Sequence, residues 1–351
     1  MREIVYPKIT VSPKLPLNYQ EAKAYCEDGI KYETKEVYRQ EFKNIFVFSW
    51  GLIYKPNKPF YKHYSLVPES AVHETWFRYS EFYSLTTIVK DYLKNKIRIL
   101  PIREKYISLF DMWSSNHYHL HVDFLPRLLF LKETEPAQLT LLLPDTPYFR
   151  NSIQSILTLF NFNFKNILYL KSGEIAFVKQ CLFISKTVTT GFSNPDLIGK
   201  LKERINLPNT QPSKRIYVKR KNTPVRKVLN EAEVEEILIN CYGFEVVDFS
   251  DYPIAEQVQL AANTQIMVGM HGAGLTNVLF MPKGTKLVEF RRNGLHYTHC
   301  YWHLAAAVGI DYSLVFGEPD DESKYLEGEG CNLYIPIDDL KRVLNKVLKD
   351  N

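Results

Sequence analysis

The chain contains 351 residues, of which 45% are hydrophobic and 24% are charged, a composition typical of a globular protein long enough for two ordinary domains. Its net charge of +5 is too small to indicate a nucleic-acid-binding protein, and no hydrophobic run approaches the roughly 18 residues that a membrane-spanning helix needs. The N-terminus lacks an apolar signal core and the five cysteines form no Cys-x-x-Cys pair, so we expect a cytoplasmic protein with reduced thiols and no transmembrane segment.

The first half of the chain predicts a parallel sheet preceded by an irregular, tyrosine-rich and proline-rich region. Within the first 100 residues a hairpin is predicted at residues 44–54, broken near Gly51. A helical pattern then runs through residues 116–130, and Pro126 is expected to kink it. A buried strand, an amphipathic helix and a second strand follow, at residues 138–143, 148–160 and 166–170. Strand, helix and strand at this spacing indicate parallel strands joined by crossovers.

A change of composition marks the expected domain boundary. Between Lys200 and Lys227 there are ten basic residues against a single acid, Glu203. Together with Pro208 and Pro212, this places the linker at residues 190–212. We therefore expect an N-terminal domain, a C-terminal domain and a final helix, at residues 1–190, 191–335 and 336–351.

The second half alternates strands and helices in the manner of a Rossmann-like doubly wound domain. Strands are predicted at residues 215–219, 245–249, 264–269, 286–290 and 312–315, with helices between them. Sheets of this kind bind ligands beyond the carboxyl ends of their strands. In the final helix the apolar residues share one face and lysines lie opposite, which favours packing on a domain over peripheral association with a membrane surface.

The segment His271-Gly272-Ala273-Gly274 ends one of these strands, and the spacing of the apolar residues after it predicts a helix. A glycine turn at a helix N-terminus favours anions, because the first N–H groups are unpaired and glycine allows close approach. The segment is not the Gly-x-Gly-x-x-Gly dinucleotide fingerprint, and the chain lacks the Gly-x-Ser-x-Gly elbow of lipases. The turn is therefore an anion site or a tight turn without a ligand.

The basic stretch favours the anion site. Arg220 and Arg226 follow the first strand of the same domain, so they are expected at the same edge of the sheet. A diphosphate leaving group needs a metal ion or fixed cations to balance its charge. The Asp-x-Asp metal motif of many sugar transferases is absent from the sequence, so fixed cations are the expected means. For several of the lysines, solubility is an equally good explanation.

His119 and Asp123 are four residues apart on the predicted helix, so their side chains share a face. A carboxylate can orient and polarise an imidazole, or can itself take a proton from a hydroxyl group. His117 and His121 alternate with this pair, but histidines two apart do not share a helical face, so a metal cluster is disfavoured. Taken alone, the pair fits a partly buried polar helix better than a catalytic site.

Several motifs, in their order and spacing, resemble glycosyltransferase family 61. In the second half they are Arg215 to Arg220, Arg226, Asn230-Glu231, Glu256-Gln257, His271 to Asn277, Pro282 to Glu289, and Tyr297 to Ala305. In the first half Asn116 to Leu128 is similar to a helix of the family, with matches at His119, Asp123 and Pro126-Arg127. The resemblance covers roughly residues 116–316, and the first 100 residues match no family that we can name.

The resemblance implies an α/β protein of GT-B fold, with two Rossmann-like domains facing a cleft and an extra β-rich N-terminal segment. It implies inverting transfer from a UDP-sugar donor to a glycan acceptor, with no cofactor and no obligatory metal. The family includes transferases that place N-acetylglucosamine on proteins and plant enzymes that place xylose or arabinose on glycans. A compact chain without their signal anchor is more similar to a bacterial or viral polysaccharide enzyme.

The resulting hypothesis is a glycosyltransferase whose donor site lies in the C-terminal domain. The residues expected to hold the donor are Arg220, Arg226, Glu256, His271, Gly272, Ala273, Gly274, Leu275, Thr276, Asn277 and Glu289, the last of these at the ribose. Asp123 is the expected general base, with His119 orienting or replacing it, and His271 contacts phosphate, sugar or only its own turn. A nucleotide-sugar or glycan-binding protein without catalysis and, less favoured, a Rossmann-type NAD(P) oxidoreductase are the alternatives.

Overall fold

The computed structural model describes residues 2–57, 63–71, 82–207, 211–221, 223–294, 298–326 and 330–349. Its strands are β1 (Glu3–Tyr6), β2 (Thr10–Val11), β3 (Tyr32–Glu33), β4 (Val37–Phe48), β5 (Ile53–Pro56), β6 (His63–Leu66), β7 (Phe82–Ser84), β8 (Ile97–Ile99), β9 (Lys105–Ser108), β10 (Leu139–Pro144), β11 (Asn166–Leu170), β12 (Ile175–Ile184), β13 (Lys214–Val218), β14 (Glu245–Val247), β15 (Thr264–Met270), β16 (Lys286–Arg292), β17 (Asp311–Pro319) and β18 (Leu333–Tyr334).

The α-helices are α1 (Tyr19–Cys26), α2 (Leu85–Leu93), α3 (His117–His119), α4 (Leu125–Leu128), α5 (Pro147–Leu159), α6 (Pro195–Glu203), α7 (Glu231–Tyr242), α8 (Ile254–Ala262), α9 (Cys300–Ala307) and α10 (Ile337–Lys349). A π-helical turn (Leu120–Phe124) joins α3 to α4, and a 3-10 helix (Ala273–Phe280) follows β15. The chain is thus of mixed α/β class, as predicted. Within the described residues, no helix combines the length and the apolar character that crossing a bilayer requires.

The chain divides into two compact units, one of residues 1–9 and 35–187 and one of residues 10–34 and 188–351. The sequence-based division placed residues 10–34 in the first domain, whereas their contacts place them in the second unit. Leu17 donates its N–H to the carbonyl of Tyr312 at 2.8 Å. The side-chain amide of Asn18 donates to the carbonyl of Leu314 and accepts from its N–H, at 2.8 and 3.1 Å. These hydrogen bonds attach residues 17 and 18 to β17, so residues 10–34 belong to the second unit although most of that unit lies far away in sequence.

The first unit contains a sheet in the order β11-β10-β9-β12-β4-β5-β6-β7. The strands from β11 to β12 are parallel, and α5 forms the crossover between β10 and β11. Thr146 caps α5 by accepting from the N–H of Phe149, and Pro147 opens the helix. From β4 onward the strands are antiparallel, and the β4–β5 hairpin predicted near Gly51 is confirmed, with a positive φ of 97° at that glycine. This unit therefore joins a parallel half to a β-rich antiparallel half.

The second unit contains a sheet in the order β14-β13-β15-β16-β17-β18, parallel except for β18. Its parallel strands follow the order 2-1-3-4-5, one of the common orders of doubly wound sheets. The alternation predicted for this half is confirmed, while the antiparallel β18 is an addition. The apolar face of α10 is buried in the core of this unit through Leu340, Val343, Leu344 and Val347, so the helix packs on its domain.

Candidate anion-binding site and histidine–carboxylate pairs

The strand order of the second unit reverses between β13 and β15, which is where such sheets form a crevice for ligands. The parallel register pairs Val218 at the end of β13 with Gly269 near the end of β15. Arg220 and His271 follow these two strand ends. The structure therefore brings together, at one edge of the sheet, the arginine and the glycine turn that the sequence placed there.

Arg220 lies directly over the glycine turn. Its Nη1 donates to the carbonyl of His271 at 2.9 Å, and its Nη2 donates to the hydroxyl of Thr223 at 3.2 Å. A Cβ atom at Gly272 would lie 1.7 Å from Nη1 of Arg220, and one at Gly274 would lie 2.8 Å from Cγ1 of Val218. A side chain at Gly274 would collide with Val218, whereas one at Gly272 would push aside the end of the Arg220 side chain, so glycine at both positions preserves this arrangement.

The 3-10 helix after this turn presents its first N–H groups at the same edge. The N–H of Leu275 donates to the carbonyl of Gly272 at 2.9 Å, so that donor is used inside the turn. The N–H groups of Ala273 and Gly274 precede it and have no acceptor within the helix. Fewer backbone N–H groups are therefore available for an anion than the expected set from Gly272 to Thr276. The reason is that the 3-10 helix already uses the N–H of Leu275 in its first hydrogen bond.

Asn277 holds the turn together from inside. Its Nδ2 donates to the carbonyl of Gly274 at 3.1 Å and to Oε1 of Gln257 at 3.2 Å, and the residue is completely buried. Glu256 lies on the exposed side of α8, so its neighbour Gln257 is the residue that contacts the turn. Thr276 is also buried, and its hydroxyl lies beside the phenol of Tyr301.

Beside the turn, an open cavity of about 450 Å³ lies at the carboxyl end of β13. Its lining includes Lys219, Arg220, Lys221, Arg226, Lys227, Glu231 and Met270. Lys219 is neutralised by Glu235 at 2.5 Å and Lys221 by Asp251 at 2.6 Å. The cavity is therefore basic, but two of its cations are already committed to carboxylates.

Besides the exposed Lys227, the cavity has two further cations, Arg220 and Arg226, and both are partly buried. Among the described residues neither forms an ion pair with a carboxylate, and Nε of Arg226 is buried without a hydrogen-bond acceptor. Burial and, to a lesser degree, the charge of Arg226 together lower the pKa of Arg220 to about 10, against smaller opposing effects of Tyr301 and Asp248. Arg226 also adopts a left-handed backbone conformation with φ of 59°, which is costly for a residue other than glycine. Two adjacent cations without a counter-charge are suited to an anion.

His271 forms a buried pair with Glu289. Its Nδ1 lies 2.5 Å from Oε1 of Glu289, and Oε2 of the same carboxylate accepts from the hydroxyl of Tyr312 at 2.5 Å. Burial raises the pKa of Glu289, but the charge of Arg291 and the hydrogen bond from His271 outweigh it, so that the pKa lies below its ordinary value. Glu289 is thus ionised near neutral pH.

The ionised carboxylate fixes the tautomer of His271. Nη1 of Arg291 lies 2.6 Å from the same Nδ1, and a single ring nitrogen cannot donate to Glu289 and accept from Arg291 together. Because Glu289 is a carboxylate, Nδ1 carries the proton and donates to it, and in the neutral ring Nε2 is the acceptor. Glu289 was expected to contact a ribose, but this side chain is 0% exposed and both of its carboxylate oxygens are bonded inside the protein.

Arg291, Tyr312 and Tyr25 are the members of this network that the sequence analysis missed. Glu289 and Arg291 are two residues apart on β16, so strand alternation alone would have placed them on one face. The ring of Tyr25 lies 5.1 Å from the guanidinium of Arg291. No local pattern indicates that contact, because it joins α1 to β16.

In the first unit, His119 and Asp123 form the predicted pair. Nδ1 of His119 lies 2.7 Å from Oδ2 of Asp123, and the two side chains are 17% and 13% exposed. Pro126 lacks the N–H that would bond to residue 122, and Leu125 instead donates to the carbonyl of Leu120, five residues back. The expected disturbance by Pro126 is therefore a π turn, a feature that often occurs at functional sites. Oδ1 of Asp123 has no hydrogen-bond partner among the described residues.

His117 and His121 are structural in character. Nδ1 of His117 lies 2.9 Å from the hydroxyl of Tyr148, and Nδ1 of His121 donates to the carbonyl of His117 at 2.8 Å. Burial lowers the pKa of His121 to about 4 and that of His117 well below its ordinary value, so both rings are neutral near pH 7. In the described part of the chain, no three His, Cys, Asp or Glu residues come together as a metal site.

Comparison with known proteins covers both of these regions. A family model described as Glycosyltransferase 61 matches residues 117–288. The chain is 30% identical over 248 residues to the EGF domain-specific O-linked N-acetylglucosamine transferase of Drosophila melanogaster, covering 61% of this chain and 46% of that protein. The enzymes of the same name from Mus musculus and Bos taurus are 31% and 29% identical over 142 residues, covering 37% of this chain and 27% of theirs. The chain spans less than half the length of these relatives.

Proposed function

We propose that this chain, whose residues 117–288 match the family model, is a member of glycosyltransferase family 61 and an inverting transferase that moves a sugar from a UDP-sugar to a hydroxyl group of a glycan. The named relatives are N-acetylglucosamine transferases, which supports a hexosyl transfer without identifying the sugar or the acceptor of this protein. We further propose a GT-B organisation, in which the first unit serves the acceptor and the second unit the donor.

The observation that carries the donor proposal is the position of Arg220 over the turn, next to Arg226. In this proposal the two guanidinium groups and the N–H groups of Ala273 and Gly274 bind the diphosphate of the donor. A site of this kind stabilises the charge that develops on the leaving UDP without a metal ion, because its donors are fixed before reaction. The missing Asp-x-Asp motif agrees with metal-independent transfer.

His271 then serves the sugar or ribose hydroxyls rather than the phosphates. Because its Nδ1–H donates to Glu289, Nε2 accepts a hydrogen bond as long as the ring is neutral, and in that form it repels a phosphate oxygen. A hydroxyl group of the donor is the matching partner. Glu289, Tyr312 and Arg291 hold the ring in this orientation, so their contribution to donor binding is indirect.

Asp123 is the proposed general base. The acceptor hydroxyl attacks the anomeric carbon as the bond to UDP breaks, and its proton passes to the carboxylate of Asp123, with inversion at that carbon. The hydrogen bond from His119 orients the carboxylate through Oδ2, while Oδ1, buried and without a partner among the described residues, is the atom that we assign to take the proton. Losing a general base reduces the rate by ~10²–10⁴.

Two sets of variants test this assignment. Arg220→Ala and Arg226→Ala should weaken UDP binding measured by calorimetry, while Asp123→Asn should bind UDP normally and lose transfer. Asp145→Asn removes a partly exposed carboxylate, paired with Arg150, from the same unit and serves as the matched control. If Asp123→Asn and His119→Ala both fold and retain near-full transfer, the base assignment is wrong.

Ligand-binding measurements distinguish the proposed transferase from the two alternatives, a binding protein without catalysis and an oxidoreductase. A binding protein would be stabilised by a UDP-sugar but would release no UDP when acceptor is added. An oxidoreductase would be stabilised by NAD(P) and not by UDP, because only a ligand of the folded state raises its melting temperature.

A further inference from the structure

Helix α2, in the first unit, has an exposed apolar face. None of its nine residues is buried, although five of them are apolar. Leu85, Val89, Tyr92 and Leu93 are 53%, 50%, 57% and 74% exposed. Their spacing places them on one side of the helix. Such a continuous exposed stripe marks an interaction surface more often than scattered apolar residues do.

The helix is firmly held despite this exposure. Its remaining apolar residue, Ile88, packs on the aromatic core formed by β4 to β7 and β12. Ser84 caps the helix by accepting from the N–H of Thr87 at 3.2 Å, and Asp91 accepts from the hydroxyl of Tyr83 at 2.7 Å. The apolar stripe is therefore exposed on a helix that is capped and packed against the core of its unit, and its exposure does not result from fraying.

Charge around the stripe is strongly positive. From Phe82 to Lys105 there are six basic residues, of which Arg98 is paired with Glu174 at 3.7 Å, and two acids, Asp91 and Glu104. Glu104 bonds to Lys165 and Thr140, both at 3.0 Å, and Asp91 is used by Tyr83, so both acids are committed within the protein. Lys90, Lys94 and Lys96 are exposed, and none forms an ion pair with any described residue.

We propose that α2 docks the first unit on an anionic lipid surface, with the apolar stripe entering the headgroup boundary and the three lysines contacting lipid phosphates. An amphipathic helix with apolar residues on one side and lysines beside them is the arrangement that binds such surfaces in the interface plane. The lysine stems can lie along the apolar boundary while their charged ends reach the headgroups, and the tyrosine suits the same depth. The proposal does not depend on transferase activity.

Sedimentation of the full chain with lipid vesicles tests this directly. Binding to phosphatidylglycerol–phosphatidylcholine vesicles is expected to exceed binding to pure phosphatidylcholine vesicles by roughly tenfold or more. It should weaken when the salt concentration rises from about 0.1 M to about 1 M, since the screening length falls from ~10 Å to ~3 Å. Equal binding to both vesicles, or binding to neither, would overturn the proposal.

Two variants locate the surface. The first is the triple variant of the apolar stripe, with Leu85→Ser, Val89→Ser and Leu93→Ser, and the second is the triple variant of the lysines, with Lys90→Gln, Lys94→Gln and Lys96→Gln. Each should reduce vesicle binding roughly tenfold with an unchanged circular dichroism spectrum. The control is Leu229→Ser with Ile239→Ser, which removes apolar residues of similar exposure from the second unit, 53% and 46%, and should leave binding unchanged. If light scattering shows instead that the first variant dissociates a dimer, the stripe is an interface between two copies and the lipid proposal fails.

Discussion

Replacing Glu289 by glutamine is the perturbation that most sharply separates a buried structural carboxylate from a ligand-binding one. The side chain is 0% exposed, and its carboxylate accepts hydrogen bonds from His271, Tyr312 and Arg291. Glutamine preserves the shape but removes the negative charge that lies 3.4 Å from the guanidinium of Arg291, itself 1% exposed. Removing one partner of a buried ion pair typically costs about 3–5 kcal/mol.

Thermal unfolding followed by calorimetry measures this cost. For a unit of roughly 150–250 residues, each 1 kcal/mol corresponds to about 2–4 °C, so Glu289→Gln is expected to lower the melting temperature by roughly 6–20 °C. Glu245→Gln is the matched control, because Glu245 lies on β14 of the same sheet in a surface pair with Lys214 and is 54% exposed. Exposed pairs contribute at most about 1 kcal/mol.

Acid should remove the same stabilisation in the wild-type protein. The pKa of Glu289 is lowered by folding, so its contribution is complete above the ordinary carboxyl value of 4.5 and is lost as the pH falls through the lower folded-state value. Glu289→Gln should lack this part of the acid transition. If the variant melts together with Glu245→Gln and loses only UDP affinity, the carboxylate faces the donor and our account of the His271 tautomer is wrong.

Three further outcomes are expected. Gly272→Ala should weaken UDP binding at least roughly tenfold by displacing Arg220, as measured by calorimetry, whereas Gly199→Ala, which meets nothing within 4 Å, should not. Arg226→Gly should weaken UDP binding without lowering the melting temperature, because glycine tolerates the left-handed conformation; a clear loss of stability would contradict the strain argument. Burial lowers the pKa of His121 from 6.5 to about 4, so between these values the unfolded chain binds a proton that the folded chain does not. Urea unfolding should therefore show the free energy of unfolding falling from about pH 6.5 to about pH 4, by about 3 kcal/mol for this group. A flat profile in this range would contradict the assignment of a buried, neutral His121.

The parallel strands of the second unit could be predicted from sequence because each contains a short apolar run and helix signals lie between them. The same patterns placed Arg220 and the turn after His271 at one edge, since parallel strands share their carboxyl ends. The side chains of His119 and Asp123 are in contact, as expected, because residues four apart on a helix lie on the same face. These successes rest on contacts that a short window of sequence determines.

The missed features depend on contacts between distant segments. Glu289 was assigned to a ribose from its place at a strand end, but its burial depends on Tyr312 from the neighbouring strand β17. Tyr25 reaches Arg291 only because residues 10–34 pack on the second unit, which their irregular sequence does not indicate. The shortened donor row after Gly272 results from a 3-10 helix, whose apolar spacing in so short a segment resembles that of an α-helix.

The most direct test of the central claim is to incubate the protein with a panel of UDP-sugars and glycan acceptors, and to measure released UDP together with the mass of the acceptor. We expect one UDP-sugar to give UDP and an acceptor heavier by one sugar, in the presence of a metal chelator and dependent on Asp123. Absence of UDP release from every donor, with a melting temperature raised by NAD(P) and not by UDP, would contradict the account.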